Sequence, residues 1–203
     1  MAPFLESVKS FADVPVTDDG VDTLTFLEAA EGVVSLFKLL DNPAFTPVVS
    51  DLRGNITKVH DRYSSHSSES STLELLLASE AREKKRPATE GLMWLLRGLS
   101  FTCKALQTAQ ADEKTELSKA FTTGYEGSLK QHHNFVVKGV FAIAMKACPY
   151  RKDFYAKLAS DPAGGPPVPQ DKLNEELNKW LDALDKIVDR MRKLYKEKGY
   201  GEV

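Results

Sequence analysis

Asp51, Asn55 and Lys58 recur at i, i+4 and i+7, which sets a carboxylate, an amide and an ammonium group along one helix face. A carboxylate accepts hydrogen bonds, an ammonium donates them and an amide does both, so the set suits a group with many hydroxyls. The stripe borders the apolar positions of its helix rather than opposing them, and is expected to be half-buried. The plainer alternative is a solvated face carrying a charge pair two turns apart. Gly54 lies between these residues, at a cost of about 1 kcal/mol relative to alanine in a helix interior, and hints at a close approach to the backbone. Trp94 and Phe101 project from a second helix, opposite its main stripe of Leu92, Leu95, Leu96, Leu99, Cys103 and Leu106, with Arg97 beside them. A helix apolar nearly all round is either packed between layers or covers a ligand. Tryptophan is a good platform for the apolar face of a sugar ring; a central core helix is the competing account. His132 and His133 are adjacent and point about 100° apart on a helix. The His133 face is expected to carry Leu129, Val137 and Val140, where a histidine satisfied within the core is the commoner outcome.

Other chemistries lack their residues. His60 and His66 fall in or near a loop, and no Cys/His spacing matches a zinc site, so no metal is expected. There is no GxSxG, P-loop or GxGxxG pattern and no nucleophile with a base. An enzyme therefore has no positive support, and no cofactor is expected. The net charge of -2 over 203 residues argues against a nucleic-acid binder, which needs a positive surplus. Cys103 and Cys148 lack CxxC spacing, fall in apolar helical stretches and read as buried reduced thiols of a cytosolic protein. The N-terminus does not resemble a signal peptide, and no apolar run is long enough to span a bilayer, so membrane contact is expected to be peripheral.

The elements that must position these residues are helical, since period-2 alternation is not sustained anywhere. A first clear helix is predicted from a capping box at Thr25 and Glu28 to Asp41-Asn42-Pro43, and a second from Pro47 along Val49, Leu52, Ile56, Val59 and Tyr63. After a serine-rich loop over 64–71, a box at Ser71 and Glu74 opens a short helix, and Pro87 reads as a break. Further helices are predicted over about 89–109, 114–130 and 131–148, the last two separable or one kinked rod. Pro149 ends this run; a short segment follows near 153–159. The Pro/Gly-rich stretch 161–169 is the clearest loop, and a final helix covers about 170–198 on Leu173, Leu177, Leu181, Leu184, Val188, Met191 and Tyr195. Stripes this narrow and connections this short predict one domain over 1–203, with 1–20 as an N-terminal extension.

Four stretches, in order, carry a resemblance: Asp51-Leu-Arg-Gly-Asn55-Ile-Thr-Lys58, Gly91-Leu-Met-Trp94-Leu-Leu-Arg97-Gly-Leu, His132-His133-Asn-Phe135 and Ala147-Cys-Pro149-Tyr150-Arg-Lys-Asp153-Phe154. Together they closely resemble the glycolipid transfer protein family, and most of all its fungal members related to heterokaryon-incompatibility proteins. The resemblance implies an all-α, two-layer helical sandwich of about eight helices, working as a cytoplasmic monomer. It implies binding of one glycosphingolipid, of the glucosyl-, galactosyl- or lactosylceramide type, and its transfer between membranes. Asp51, Asn55 and Lys58 would bond the first sugar, Trp94 would stack on it, and His133 would bond the ceramide amide. Tyr200 corresponds to a tyrosine that animal members use near the C-terminus. Phe135 stands where members often carry a membrane-facing tryptophan; with Lys138, Arg151 and Lys152 it is the expected docking surface, against the alternative that Phe135 packs on the last helix. Ceramide-1-phosphate transfer on the same fold, and a glycolipid sensor without a carrier role, are the competing functions.

Overall fold

Asp22, not Thr25, starts the first long helix. Its carboxylate accepts from the Thr25 backbone N–H at 2.9 Å and from the Thr25 hydroxyl at 2.6 Å, so the cap sits three residues earlier than predicted. At α4 the cap moves the other way, one residue later, to Thr72, whose hydroxyl accepts from Leu75 N–H at 3.2 Å in place of the expected Ser71 cap. Glu74 is thereby freed from its capping box. Its carboxylate accepts instead from Val21 N–H at 2.8 Å and from Arg190 Nε at 2.6 Å, tying the N-terminal segment to the last helix. In both cases an Asp or Thr acceptor pinned by the Asp22–Thr72 bridge outcompetes its neighbour for the orphan N–H groups.

The computed structural model describes residues 3–161 and 163–203. Among them are nine α-helices: α1 (Pro3–Ser7), α2 (Thr23–Leu39), α3 (Thr46–Ser65), α4 (Leu73–Glu80), α5 (Pro87–Ala111), α6 (Leu117–Glu126), α7 (Phe135–Lys146), α8 (Arg151–Ala159) and α9 (Gln170–Lys198). They form a two-layer sandwich in which α5 packs against α2, α3, α4, α6 and α9. A two-residue antiparallel pair, β1 (Val16–Thr17) with β2 (Gly20–Val21), precedes α2. The extra helix, α1, lies inside the predicted extension, and that segment is packed: Leu5, Phe11 and Val14 are buried, with Phe11 edge-on to Trp180 at 5.1 Å and to Phe26 at 6.3 Å.

α5 is the backbone of the site. Pro87 does not break it but occupies its first turn, where a missing N–H costs nothing. The buried Glu80 carboxylate takes the Ala88 and Thr89 N–H groups and the Thr89 hydroxyl at 2.9, 2.5 and 2.6 Å, and Tyr195 OH donates to Thr89 O at 2.8 Å. The close backbone approach hinted at by Gly54 does not occur there, since a Cβ at Gly54 would meet nothing within 4 Å. It occurs at Gly91, where a Cβ would lie 2.9 Å from Lys58 Cβ, and at Gly124, where one would lie 2.7 Å from Ala105 N. The second neighbour is backbone and cannot yield, so Gly124→Ala is expected to destabilise the fold by about 1–3 kcal/mol through overpacking. Thermal unfolding followed by circular dichroism would show this as a lowered midpoint; an unchanged midpoint would mean that α6 and α5 do not touch there.

The largest departure from the predicted elements lies between α6 and α7. Helices expected over 114–130 and 131–148 are shorter, and a 3-10 turn over Leu129–His132 separates them. Gly127 caps α6, and the Asn134 side chain accepts from Val137 N–H at 3.0 Å to start α7. His133 therefore stands in extended backbone (φ -95°, ψ 140°) rather than on a helix face with Leu129, Val137 and Val140. Cys148 likewise lies past the end of α7, half-buried, while Cys103 is buried in α5; burial pushes both thiols up to about 12.

Candidate functional site

α3, α5, the α6–α7 connection and α7 surround a cavity of about 440 Å³, within the range of small-molecule sites. Asp51, Asn55 and Lys58 all line it from α3. Asn55 is 3% exposed, while Asp51 and Lys58 stand exposed at the rim. Asn55 Nδ2 donates to Asp51 Oδ2 at 3.2 Å, and Lys58 Nζ donates to Asn55 Oδ1 at 3.4 Å. The expected polar stripe is therefore a linked row. Desolvation raises the Asp51 carboxyl above its ordinary range, with the Lys58 charge and the Asn55 amide pulling the other way. The same Gly91 contact that lets α5 approach α3 supports the Lys58 stem.

Trp94, half-buried, faces this row from α5. The Arg97 guanidinium lies 4.4 Å from the indole centroid. Arg97 does not line the cavity and Trp94 does, so the cation backs the ring from the far side. Arg97 is held in turn by the carbonyl of Glu202, accepting from Nε at 2.8 Å. His133 is nearly parallel to the indole, 19° off with centroids 5.9 Å apart, and meets Phe141 at 4.7 Å. Burial, then the charges of His132, Arg97 and Lys138, lower His133 to about 4, so its imidazole is neutral at physiological pH. Below these groups the lining is apolar: Val48 and Leu52 from α3, Phe101 from α5, and Val137, Val140 and Phe141 from α7. Phe101 is the hub of the aromatic floor, with the rings of Phe37, Phe121, Tyr125 and Phe141 between 5.7 and 6.4 Å away.

Five of the expected residues thus share one cavity. Tyr200 does not line it; its ring packs edge-on to Tyr195 at 6.0 Å, because Gly199 (φ 66°) turns the chain back on α9. Among the residues that were not anticipated, such as Phe141, two are polar. Glu90 sits one turn before Trp94 on the same face and lines the rim, a position the i, i+4 rule could have disclosed. Tyr125 places its hydroxyl 3.1 Å from His133 Nδ1, a contact across the α6–α7 connection that no local spacing announces.

The docking residues divide. Phe135 opens α7 and is 85% exposed, which excludes its packing on the last helix. Val136 at 58% and Ile143 at 66%, with Val140, are the other exposed apolar side chains of α7. Lys138 is half-buried and Lys152 exposed. Arg151 is not available as a free charge: its guanidinium donates to the Ala109 carbonyl at the end of α5 and lies 4.2 Å from the Tyr155 ring centroid. The last carbonyls of a helix need donors, and Arg151 supplies one. Among the described residues no helix is long and apolar enough to cross a membrane.

A polar row at the rim of an apolar cavity, on an all-helical sandwich, defines a binding protein for an amphiphile with a hydroxyl-rich head. The family model for glycolipid transfer protein matches residues 21–160, and the chain belongs to the glycolipid transfer protein family. It is 44% identical over 186 residues to a glycolipid transfer protein of Aureobasidium melanogenum, covering 91% of this chain and 89% of that one. Among solved structures it is similar to the fungal glycolipid transfer protein HET-C2, with TM-score 0.87 and 43% identity over 95% of this chain and 96% of that one. It is also similar to the GLTP-fold protein FAPP2, described as selecting simple glycosphingolipids, with TM-score 0.87 and 32% identity over 98% of both chains. Mouse ceramide-1-phosphate transfer protein shares the fold at 20% identity and TM-score 0.81, over 91% of both chains.

Proposed function

We propose that this chain binds one glycosphingolipid and carries it between membranes, making and breaking no covalent bond. The observation that carries this is the single cavity in which Asp51, Asn55, Lys58 and Trp94 stand over an aromatic and aliphatic floor. Asp51 and Asn55 accept from sugar hydroxyls, Lys58 donates to them, Trp94 stacks on the ring, and His133 meets the ceramide amide. The floor takes hydrocarbon. Each methylene is worth about 0.8 kcal/mol, so exposing a chain of about sixteen carbons to water costs on the order of 13 kcal/mol, and a protein slot removes most of that barrier. The yielding wall is α7, in which only Phe141, Ala144 and Met145 are buried and whose Val137, Val140 and Phe141 border the slot.

Ceramide-1-phosphate is disfavoured by charge. Among the described lining residues Lys58 is the sole Lys or Arg, and Asp51 and Glu90 oppose it, whereas a phosphate pocket needs clustered cations. Native mass spectrometry with equal concentrations of the two lipids tests this: a one-to-one complex with glucosylceramide is expected, and an equally abundant complex with ceramide-1-phosphate would overturn the proposal.

The exposed face of α7 is the proposed contact with a membrane, made transiently from the cytoplasmic side. Phe135 and Ile143 enter the interface, and Lys138 and Lys152 add about 1 kcal/mol each near an anionic surface. Phe135→Ala is expected to slow transfer between vesicles without lowering affinity for glucosylceramide in solution, and Phe135→Trp to speed it. An 85% exposed side chain contributes little to stability, so the melting temperature stays near wild type. Unchanged membrane partitioning of the alanine variant would end the docking proposal.

A further inference from the structure

His133 can meet an amide in two ways, because a neutral imidazole carries one proton on either Nδ1 or Nε2. Only the second tautomer donates from Nε2, the nitrogen that Tyr125 does not engage. With Nδ1 engaged by Tyr125, Nε2 is left to the cavity that His133 lines, and an amide carbonyl there can only accept. We infer that Tyr125 is a positioning residue that fixes His133 as the Nε2–H tautomer, aiming a donor at the ceramide carbonyl; this rests on the proposed meeting of His133 with the amide.

The geometry constrains the proton. Tyr125 is 4% exposed and its hydroxyl lies 3.1 Å from Nδ1. Its ring stacks on Phe141 at 4.8 Å and 12°, and meets Phe101 edge-on at 6.0 Å. These rings offer the phenol no acceptor. Were Nδ1 protonated, it would donate to the phenol oxygen and leave the phenol proton facing apolar rings, an unpaired buried donor. With the phenol donating to Nδ1, both groups are satisfied and Nε2–H remains for the ligand. Burial keeps both partners neutral, raising Tyr125 and lowering His133. Trp94 and Phe141 hold the imidazole plane, at centroid distances of 5.9 and 4.7 Å. His132 takes no part in this pair: its Nε2 lies 3.2 Å from Gln131 Nε2.

Imidazole 15N shifts of the wild-type protein at neutral pH read the tautomer directly. A protonated Nε2 with an unprotonated Nδ1 on His133 is expected; a protonated Nδ1 overturns the inference without any variant being made. Tyr125→Phe removes the donor and keeps the ring. It is expected to mix the two tautomers and to weaken glucosylceramide binding about fivefold, the worth of one neutral hydrogen bond. A dialkylglycerol glucoside, which has ether oxygens in place of the amide, should bind both proteins within about twofold, since that bond is not formed. Equal loss for both lipids would make Tyr125 merely structural and overturn the inference. Equal loss of both lipids on His133→Ala would instead reject the meeting of His133 with the amide, leaving the tautomer measurement to stand on its own.

Discussion

Trp94→Ala is expected to abolish measurable glycolipid transfer while helicity and the melting transition stay near wild type. The indole lines the cavity opposite Asp51 and Asn55 and is half-buried, so truncation opens the cavity more than it empties the core. What is lost is a planar apolar surface backed by the Arg97 guanidinium at 4.4 Å and flanked by His133 at 5.9 Å. Truncating an aromatic anchor at the centre of a binding site costs about 2 kcal/mol or more, and here that loss falls on the bound state, a drop of about thirtyfold or more in affinity. Trp94→Phe should recover part of it, because a smaller ring still stacks. Normal transfer by the alanine variant would assign Trp94 to the core alone.

Asp51→Val is the second large effect, and its signature is selectivity rather than loss. Hydrogen bonds to a charged group are worth roughly 1.5–3 kcal/mol, so affinity for glucosyl- or galactosylceramide should fall about ten- to a hundredfold or more. Any residual binding of plain ceramide should be spared, since it has no sugar hydroxyls to lose. Equal loss for all lipids would show that Asp51 only braces Asn55 through the 3.2 Å bond. The pH dependence follows from the direction of the shift. The Asp51 carboxyl lies above its ordinary range, so its acceptor form is lost earlier on acidification than for a free aspartate. Sugar binding should therefore weaken as the pH falls through the raised Asp51 value, and Asp51→Asn should remove that limb.

The residues that carry these two expectations were legible because their signals are local. Asp51, Asn55 and Lys58 share a face by helical spacing alone, and the stripe of α9 marked its span at 170–198, matching Gln170–Lys198. The misplaced starts of α2 and α4 have a tertiary cause: Thr72 also donates its hydroxyl proton to the Asp19 carbonyl at 3.0 Å, a contact 53 residues away that selects it over Ser71. The break at 127–134 was hidden because Leu129, Val137 and Val140 continue a helical apolar rhythm across it. Gly127 and Asn134 were the available stop and start signals, and residue types alone do not show that most of the apolar side chains of α7 face outward. Tyr125 was out of reach, since its contact with His133 exists only once the chain has turned between α6 and α7. Arg151 was read as a surface charge because the sequence does not show that α5 ends beside it.

The most direct test is transfer between two vesicle populations of defined lipid. Donor vesicles carry glucosylceramide, ceramide-1-phosphate or phosphatidylcholine, each with a fluorescent acyl chain, and the wild-type protein is present at catalytic concentration. Glucosylceramide should move to the acceptors many-fold faster than its spontaneous rate, with the other two lipids at background. Movement of ceramide-1-phosphate at a comparable rate, or glucosylceramide that binds the protein but never reaches the acceptor vesicles, would contradict a glycolipid carrier.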